Sequence, residues 1–120
     1  MVEDEILVRY VISDYLRECG YKVIEASSAE EALQVLQKAS VRVDVLLSNV
    51  QLPGAIDGFA LARWVRVSQS GVGVILAGTI SRAADAAAEL CEEGPMLSKP
   101  YEPQAVVDRI KRLLAEKKGT

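Results

Sequence analysis

Histidine is absent from this 120-residue sequence, and cysteine is nearly so. Without histidine, the chain has no Ser-His-Asp or Cys-His catalytic set, no histidine-ligated metal site and no phosphohistidine of its own. Cys19 and Cys91 are too few for a disulfide scaffold and lack CxxC spacing. We therefore expect two reduced, half-buried thiols in a cytoplasmic protein.

Aromatic residues, positive charge and long apolar runs are also scarce. Aromatics make up 5% of the chain, while half of the residues are apolar, which predicts an aliphatic core. The 14 basic and 17 acidic residues give a net charge of −3, which disfavours nucleic-acid binding through a general basic surface. No apolar run is long enough to cross a bilayer and no signal peptide opens the chain, so we expect no membrane association.

Short β-type runs alternate with longer helical patterns along the sequence, which predicts an α/β domain with a parallel sheet. Gly20 marks the end of the first helix, and Ser28 with Glu31 forms a capping box for the second. The predicted helices are Glu5–Cys19, Ser27–Ala39, Phe59–Ser68, Ser81–Cys91 and Pro103–Lys117. The predicted strands are Tyr21–Ala26, Val43–Leu47, Gly71–Gly78 and Pro95–Pro100.

The first strand is a stub. Only Met1 and Val2 stand before the residues that lead into the first helix, where five or six strand residues are usual. We expect either that residues 1–3 form a minimal strand or that a partner chain covers the gap.

Several polar residues stand where strands are predicted to end. Glu3 and Asp4 follow the stub, Asn49 follows the buried run Val43–Leu47, and Lys99 follows the last strand. A doubly wound sheet brings such positions together along one edge. Two carboxylates beside a lysine suit a hard cation such as Mg²⁺ and an anionic oxygen ligand.

Three motifs, in the same order and spacing, resemble the receiver domain of bacterial two-component response regulators. They are "VEDE" at 2–5, "VLLSNVQLPG" with "IDGFALARWVR" in the middle, and "LSKPYEPQAVVDRIKRLL" near the end. The phrase "ELCEEGPMLSKPYEP" further resembles stand-alone receivers of α-proteobacteria. The resemblance implies a flavodoxin-like, doubly wound parallel sheet of five strands in the order 2-1-3-4-5, with the first truncated, and five helices. It also implies one receiver domain over residues 1–120, without an output domain.

The resemblance further implies phosphoryl transfer from a kinase's phosphohistidine to an aspartate, assisted by Mg²⁺. By residue match, Glu3 and Asp4 are the metal carboxylates and Gln51 supplies a backbone carbonyl ligand. Lys99 is the phosphoryl-contacting lysine, and Asn49 falls on the position of the acceptor aspartate.

Three positions depart from the family pattern. Asn49 has an amide in place of the acceptor carboxylate and cannot form an acyl phosphate. Ala77 falls on the switch Thr/Ser position and has no hydroxyl, while Thr79 lies beyond the predicted end of the strand. Met96 falls where the family usually has a switch aromatic. The Mg²⁺ site is accordingly expected to be weakened, because one of three carboxylates is missing.

Three hypotheses remain open from the sequence. The first is a non-enzymatic pseudo-receiver that acts through protein–protein contact, favoured by Asn49 and Ala77. The second is an ordinary Mg²⁺-dependent phosphoaccepting receiver whose acceptor was substituted, favoured by the intact acid pair and Lys99. The third is a flavodoxin-like flavin or nucleotide binder. We expect no such cofactor, because the acidic "EDE" loop repels phosphate.

The resemblance also suggests partners. They are a sensor histidine kinase or another signalling protein, with a homodimer as a further option. The face that commonly meets partners in the family corresponds here to Arg82, Tyr101, Arg109 and Arg112.

Overall fold

The computed structural model describes residues 1–91 together with residues 108, 111, 112 and 115. Its elements, in chain order, are α1 (Ile6–Glu18), α2 (Ala29–Leu36), β1 (Val45–Asn49), α3 (Gly58–Ser68), β2 (Gly73–Ala77) and α4 (Ile80–Leu90). The predicted strand Pro95–Pro100 lies outside the described residues. Most of the predicted closing helix does too, although residues 108, 111, 112 and 115 are helical.

The two strands within the described residues are parallel, as predicted. β1 pairs with β2 in a register that runs from Val45 opposite Gly73 to Asn49 opposite Ala77. On the other side of β1, Val2 forms parallel bridges to both Ser48 and Ala26. The stub therefore lies between the segment that ends at Ala26 and β1.

The segment Tyr21–Ala26 is not the strand that the sequence predicts. It forms one isolated β-bridge, between Ala26 and Val2, and is otherwise not part of a β-strand. The Met1 ammonium donates to Ile24 O at 3.0 Å, and Ala26 N donates to Met1 O at 2.9 Å. A strand needs a neighbour to share its ladder, and the described bonds between residues 1–3 and this segment involve only Ile24 and Ala26.

Helices cover both faces of the sheet, as expected for a doubly wound fold. On one face α1 and α4 pack together over Leu47 and Ala77, whereas on the other α2 and α3 pack over Val2 and Leu46. The alternation of Leu46 and Leu47 between the faces is the period of a strand buried on both sides. No helix within the described residues is both long and apolar enough to cross a membrane.

Side-chain caps fix where three of the helices begin. Ser28 accepts from Glu31 N at 3.2 Å, Asp57 from Ala60 N at 2.8 Å and Thr79 from Arg82 N at 3.1 Å. The predicted cap at Ser28 is thus confirmed. The Glu31 carboxylate, however, accepts from the neighbouring Ser27 hydroxyl at 2.9 Å.

The expectation of two reduced thiols is wrong for this structure. Cys19, at the end of α1, and Cys91, at the end of α4, form a disulfide with their Cα atoms 5.5 Å apart. Packing of α1 against α4 brings together two cysteines that are 72 residues apart in sequence. That separation gave no sign of their proximity, because it depends on which face of the sheet α4 covers.

Candidate functional site

The acid pair and the end of β1 meet at one edge of the sheet, as predicted. Asn49 N donates to Val2 O at 3.0 Å, and Glu3 N donates to Ala26 O at 3.0 Å. These two bonds hold the end of the stub between its neighbours. Glu3 and Asp4 are consequently presented beside the last residue of β1.

The side chain of Asn49 points toward one of these acids. Its Nδ2 donates to Oδ1 of Asp4 at 3.4 Å, a long contact for a hydrogen bond. The backbone oxygen of Asn49 accepts from the Ser48 hydroxyl at 2.9 Å. Ser48 is buried and its hydroxyl is used in this bond, so it does not reach the acids. The side chain of β1 that contacts the acid pair is therefore the Asn49 amide.

Glu3 is a buried acid whose charge is poorly tolerated. Its side chain is among the few buried polar ones, and the residue is 4% exposed. Burial, with a smaller contribution from the Asp4 charge, raises the pKa of Glu3 to about 7. A hydrogen bond from the Glu5 backbone and the positive charge of Arg9 oppose this shift without cancelling it. The fold therefore favours the neutral form of the Glu3 carboxyl relative to an exposed glutamate.

Ala77 forms the opposite wall. It is the register partner of Asn49 on β2 and is 1% exposed, with its methyl group in the core shared by α1 and α4. Its carbonyl accepts from Val50 N at 3.0 Å. Thr79 lies two residues beyond the end of β2, and its hydroxyl caps α4. The prediction that Thr79 lies past the strand end is confirmed.

Gly58 supports the site from below, which the sequence analysis did not single out. A Cβ atom at this position would lie 2.0 Å from Asn49 O and 2.9 Å from the Val50 Cα. Gly58 N also donates to Val50 O at 2.8 Å. The start of α3 therefore packs directly against the backbone that carries Asn49. The only sequence signal was the Asp-Gly pair before the helix, which also suits an ordinary cap.

Arg9 is a second residue that sequence reasoning missed. Its Nη1 donates to Glu3 O at 2.9 Å, while its Nε lies 3.4 Å from the Glu25 carboxylate. The guanidinium thus ties the acid pair's backbone to the segment that precedes Ala26. Nothing in its spacing from the acids distinguishes it from other helix-surface arginines.

Of the remaining predicted site residues, some lie within the described part of the chain and others do not. Gln51 is exposed in the loop after β1, and Arg82 and Arg112 are exposed helical residues. Lys99, Met96, Tyr101 and Arg109 lie outside the described residues.

The oxygen atoms at this edge could coordinate a hard cation, but they carry little negative charge. Carboxylate oxygens of Glu3 and Asp4, the Asn49 amide oxygen and the Gln51 carbonyl are ligand types that Mg²⁺ accepts. Yet residues 1–91, with the four described beyond them, contain no group of three acids, histidines or cysteines able to hold a metal. A nearby cation would favour the ionised form of the buried Glu3 carboxyl. The residues therefore fit a weakly bound Mg²⁺ ion.

Comparisons with known proteins agree on one family. The sequence profile of the response regulator receiver domain matches residues 1–111. The transcriptional regulatory protein AruR of Pseudomonas aeruginosa is 34% identical over 95% of this chain. The match covers 48% of that relative, so the chain spans about half of its length.

Solved structures give the same answer. A candidate response regulator from Chloroflexus aurantiacus is 38% identical, covers 95% of this chain and 93% of its own, and superposes with a TM-score of 0.57. The chemotaxis response regulator CheY4 of Vibrio cholerae is 27% identical, with 93% of each chain covered and a TM-score of 0.57. The chain therefore belongs to the response regulator receiver domain family of two-component signalling.

Proposed function

We propose that this receiver is a pseudo-receiver, which does not accept a phosphoryl group at position 49 and signals through protein–protein contact. The observation that carries the proposal is the placement of the Asn49 amide beside Asp4, at the edge where the resemblance puts the acceptor. An amide nitrogen has its lone pair delocalised into the carbonyl, and the oxygen carries no formal charge. Neither atom attacks phosphorus as a carboxylate does.

The opposite wall supports the same proposal. A phosphoryl group at the end of β1 would need hydrogen-bond donors around its oxygens. The side chain of Ala77, opposite Asn49 on β2, is a methyl group without a hydrogen-bond donor, and Thr79 lies two residues beyond the end of β2, where its hydroxyl oxygen caps α4. Both the nucleophile and the hydroxyl of a phosphorylation switch are therefore missing from the two strand ends.

A pseudo-receiver works through its surface and needs no catalysis of its own. Sensor histidine kinases and other signalling proteins are the partner class, since the fold is the one such proteins recognise in two-component systems. Arg82 and Arg112 are exposed and available to an acidic partner surface.

A second candidate function is favoured by the acid pair. Glu3 and Asp4 remain together at the site edge, which a protein without any cation chemistry would not require. In an ordinary receiver whose acceptor was substituted, Glu3, Asp4 and the Gln51 carbonyl would hold Mg²⁺, and the ion would neutralise charge on the transferring group. Restoring one carboxylate at position 49 should then restore phosphorylation.

Incubation with a small phosphodonor and Mg²⁺, read by intact mass, tests the proposal. We expect no adduct on the parent chain. Any adduct on the Asn49→Asp variant would be placed on residue 49 by peptide mapping. Phosphorylation of the parent would overturn the proposal, whereas efficient phosphorylation of Asn49→Asp would favour the second candidate over a fully degenerate site.

A further inference from the structure

The outward face of α3 combines exposed apolar side chains with exposed arginines. Phe59 is 53% exposed and Val67 is 87% exposed, while Arg63 and Arg66 are exposed between them. Given the helical repeat, the four positions fall within an arc of about 100° around the helix. They are referred to below as the α3 face. The buried residues of α3 lie on its other side, so the helix presents this face to solvent.

The positive charge of the α3 face is not balanced by the residues around it. The helix contains no aspartate or glutamate, and neither arginine forms an ion pair with another described residue. Asp57, which precedes the helix, uses its carboxylate to cap the backbone of α3. Two cations three residues apart on a helix repel each other. The face therefore carries two uncompensated positive charges in a chain whose net charge is −3.

The stability of the helix explains only part of this pattern. Arg66 lies in the last turn of α3, where the helix macrodipole favours a positive charge. Arg63 lies in the middle of the helix and receives no such benefit. The Val67 side chain gains little from folding, because it remains 87% exposed. Packing and the macrodipole therefore leave Arg63 and Val67 unexplained.

The composition of the α3 face is typical of a protein–protein interface. Aromatic residues and arginine are enriched in such interfaces, whereas lysine is depleted. Phe59 is the single phenylalanine of the chain, and both cations on the face are arginines. A planar guanidinium binds a carboxylate through two parallel hydrogen bonds. The face therefore suits a protein ligand that offers carboxylates flanked by apolar side chains.

Nucleic acids and membrane surfaces also carry negative charge, but they fit this face less well. Their electrostatic binding grows with the number of cations that contact phosphates, and the α3 face has two. The net charge of −3 opposes long-range attraction of the chain to either of them. A short acidic segment of a protein needs only the two carboxylates that these arginines can bind.

The spacing of the α3 face defines the partner segment. From Phe59 to Val67 is roughly 12 Å along the helix axis. A second helix packed antiparallel to α3 would present its side chains in the same spacing, read in reverse. Its amino end would lie beside the carboxyl end of α3, and its own macrodipole favours acids there. The matching pattern is an apolar residue followed directly by an acid, a second acid three residues later and a second apolar residue four residues after that.

We propose that the α3 face binds an acidic amphipathic helix of a partner protein, packed antiparallel to α3. Two carboxylates of the partner pair with the arginines of the face, and its apolar residues contact Phe59 and Val67. In recognition of this kind the apolar anchors supply affinity, while the charge pairs fix the register. The face lies on a different helix from Arg82 and Arg112, so it goes beyond the surface named in the proposed function.

The test is fluorescence anisotropy on the full chain with a labelled peptide of about 20 residues, long enough to be helical in water. The peptide contains Leu-Glu-Ala-Ala-Glu-Ala-Ala-Ala-Leu, with alanine and glutamine elsewhere. One control peptide has glutamine in place of both glutamates, and the other has alanine in place of both leucines. We expect saturable binding of the acidic peptide, weakened by salt, and roughly fivefold or more weaker binding of each control. Absence of saturable binding, or equal binding of either control, would overturn the proposal.

Variants of the protein fix the location. Arg63→Gln/Arg66→Gln removes both charges of the α3 face, and Lys38→Gln/Lys111→Gln removes two charges at exposed positions elsewhere. Val67→Ser shortens an 87% exposed side chain and leaves the core intact. We expect roughly fivefold or more weaker peptide binding by the arginine variant, roughly threefold by the valine variant, and no change in the lysine variant. Equal losses in the arginine and lysine variants would show that the attraction is unspecific and would overturn the proposal.

Other occupants of the α3 face are distinguished with the same arginine variant. Saturable binding of phosphatidylglycerol vesicles or of a duplex oligonucleotide, lost in Arg63→Gln/Arg66→Gln, would assign the face to a membrane or to nucleic acid. A dimer of the parent chain in sedimentation that becomes monomeric in this variant would make a second copy the occupant. Each of these results would overturn the proposal. None depends on whether residue 49 accepts a phosphoryl group, so failure of this proposal and of the proposed function can be told apart.

Discussion

Asn49 and Asp4 face each other across the end of the sheet, with the amide Nδ2 3.4 Å from the carboxylate Oδ1. The contact joins an uncharged donor to one acid of a pair whose other member, Glu3, is buried. A third carboxylate in place of the amide would face Asp4 with like charge. The amide therefore relieves repulsion at this edge in the metal-free protein.

Replacing Asn49 by Asp should make the metal-free protein less stable and more responsive to Mg²⁺. Two like charges about 4 Å apart repel by about 4 kcal/mol at an effective dielectric constant near 20. Melting temperatures with and without Mg²⁺ measure the effect, and Asn49→Ala controls for loss of the amide contact. An aspartate variant that gains no more from Mg²⁺ than the parent would contradict this account.

Replacing Glu3 by Gln should stabilise the metal-free protein above neutral pH. The pKa of Glu3 is about 7 in the folded state against 4.5 for the ordinary carboxyl, so the folded state holds the proton more tightly. Stability is then full below about pH 4.5 and falls as the pH rises through 7, by at most about 3 kcal/mol. The glutamine variant lacks this loss.

Urea unfolding in the presence of a chelator, from pH 4.5 to 8, measures the Glu3 effect. Glu89→Gln, at an exposed position of α4, is the matched control and should retain the parent's profile. Burial lowers the pKa of the Met1 ammonium to about 6, which makes stability rise between pH 6 and 8 in every variant. The difference between parent and Glu3→Gln removes that common contribution, and a flat difference would refute the prediction.

Reduction of the Cys19–Cys91 disulfide should destabilise the protein. The bond closes a loop across 72 residues, and chain-entropy estimates give about 4 kcal/mol for such a loop, with about 2–4 kcal/mol typical of measured cases. Urea unfolding with and without dithiothreitol checks this, and the Cys19→Ser/Cys91→Ser double variant should be insensitive to the reductant. Two free thiols in the unreduced, denatured chain would show that the bond does not form.

Replacing Thr79 by Ala should cost about 1 kcal/mol of unfolding free energy, because the amino end of α4 loses the acceptor for Arg82 N. Thr79→Ser keeps the hydroxyl and should stay close to the parent. Chemical unfolding of the three proteins measures the difference. An alanine variant as stable as the serine variant would show that the cap contributes little.

Local signals in the sequence predicted local structure well. Ser28 caps its helix as expected, and Gly20 ends α1 with a φ of 96°, which glycine adopts without strain. The meeting of Glu3 and Asp4 with Asn49 was also predicted, because the carboxyl ends of parallel strands share an edge. These features depend on nearby residues or on topology.

The features that sequence reasoning missed depend on tertiary neighbours. Tyr21–Ala26 has the alternation of a strand, but the stub reaches only its far end. The disulfide requires α4 to lie on the same face as α1, and the contact of Gly58 with Asn49 requires the exact path of the loop between them. None of these follows from propensity or period.

The packing of Gly58 under Asn49 makes the two positions opposite in their tolerance to change. The Asn49 side chain borders solvent and can be exchanged for many others, so a saturation library at codon 49 should give mostly folded proteins. A library at codon 58 should give almost none besides the parent, since any side chain would place its Cβ 2.0 Å from a backbone oxygen. In this receiver Asn49, at the candidate site, can be replaced without loss of the fold. Selection for folding alone would instead preserve Gly58, which packs against the Asn49 backbone.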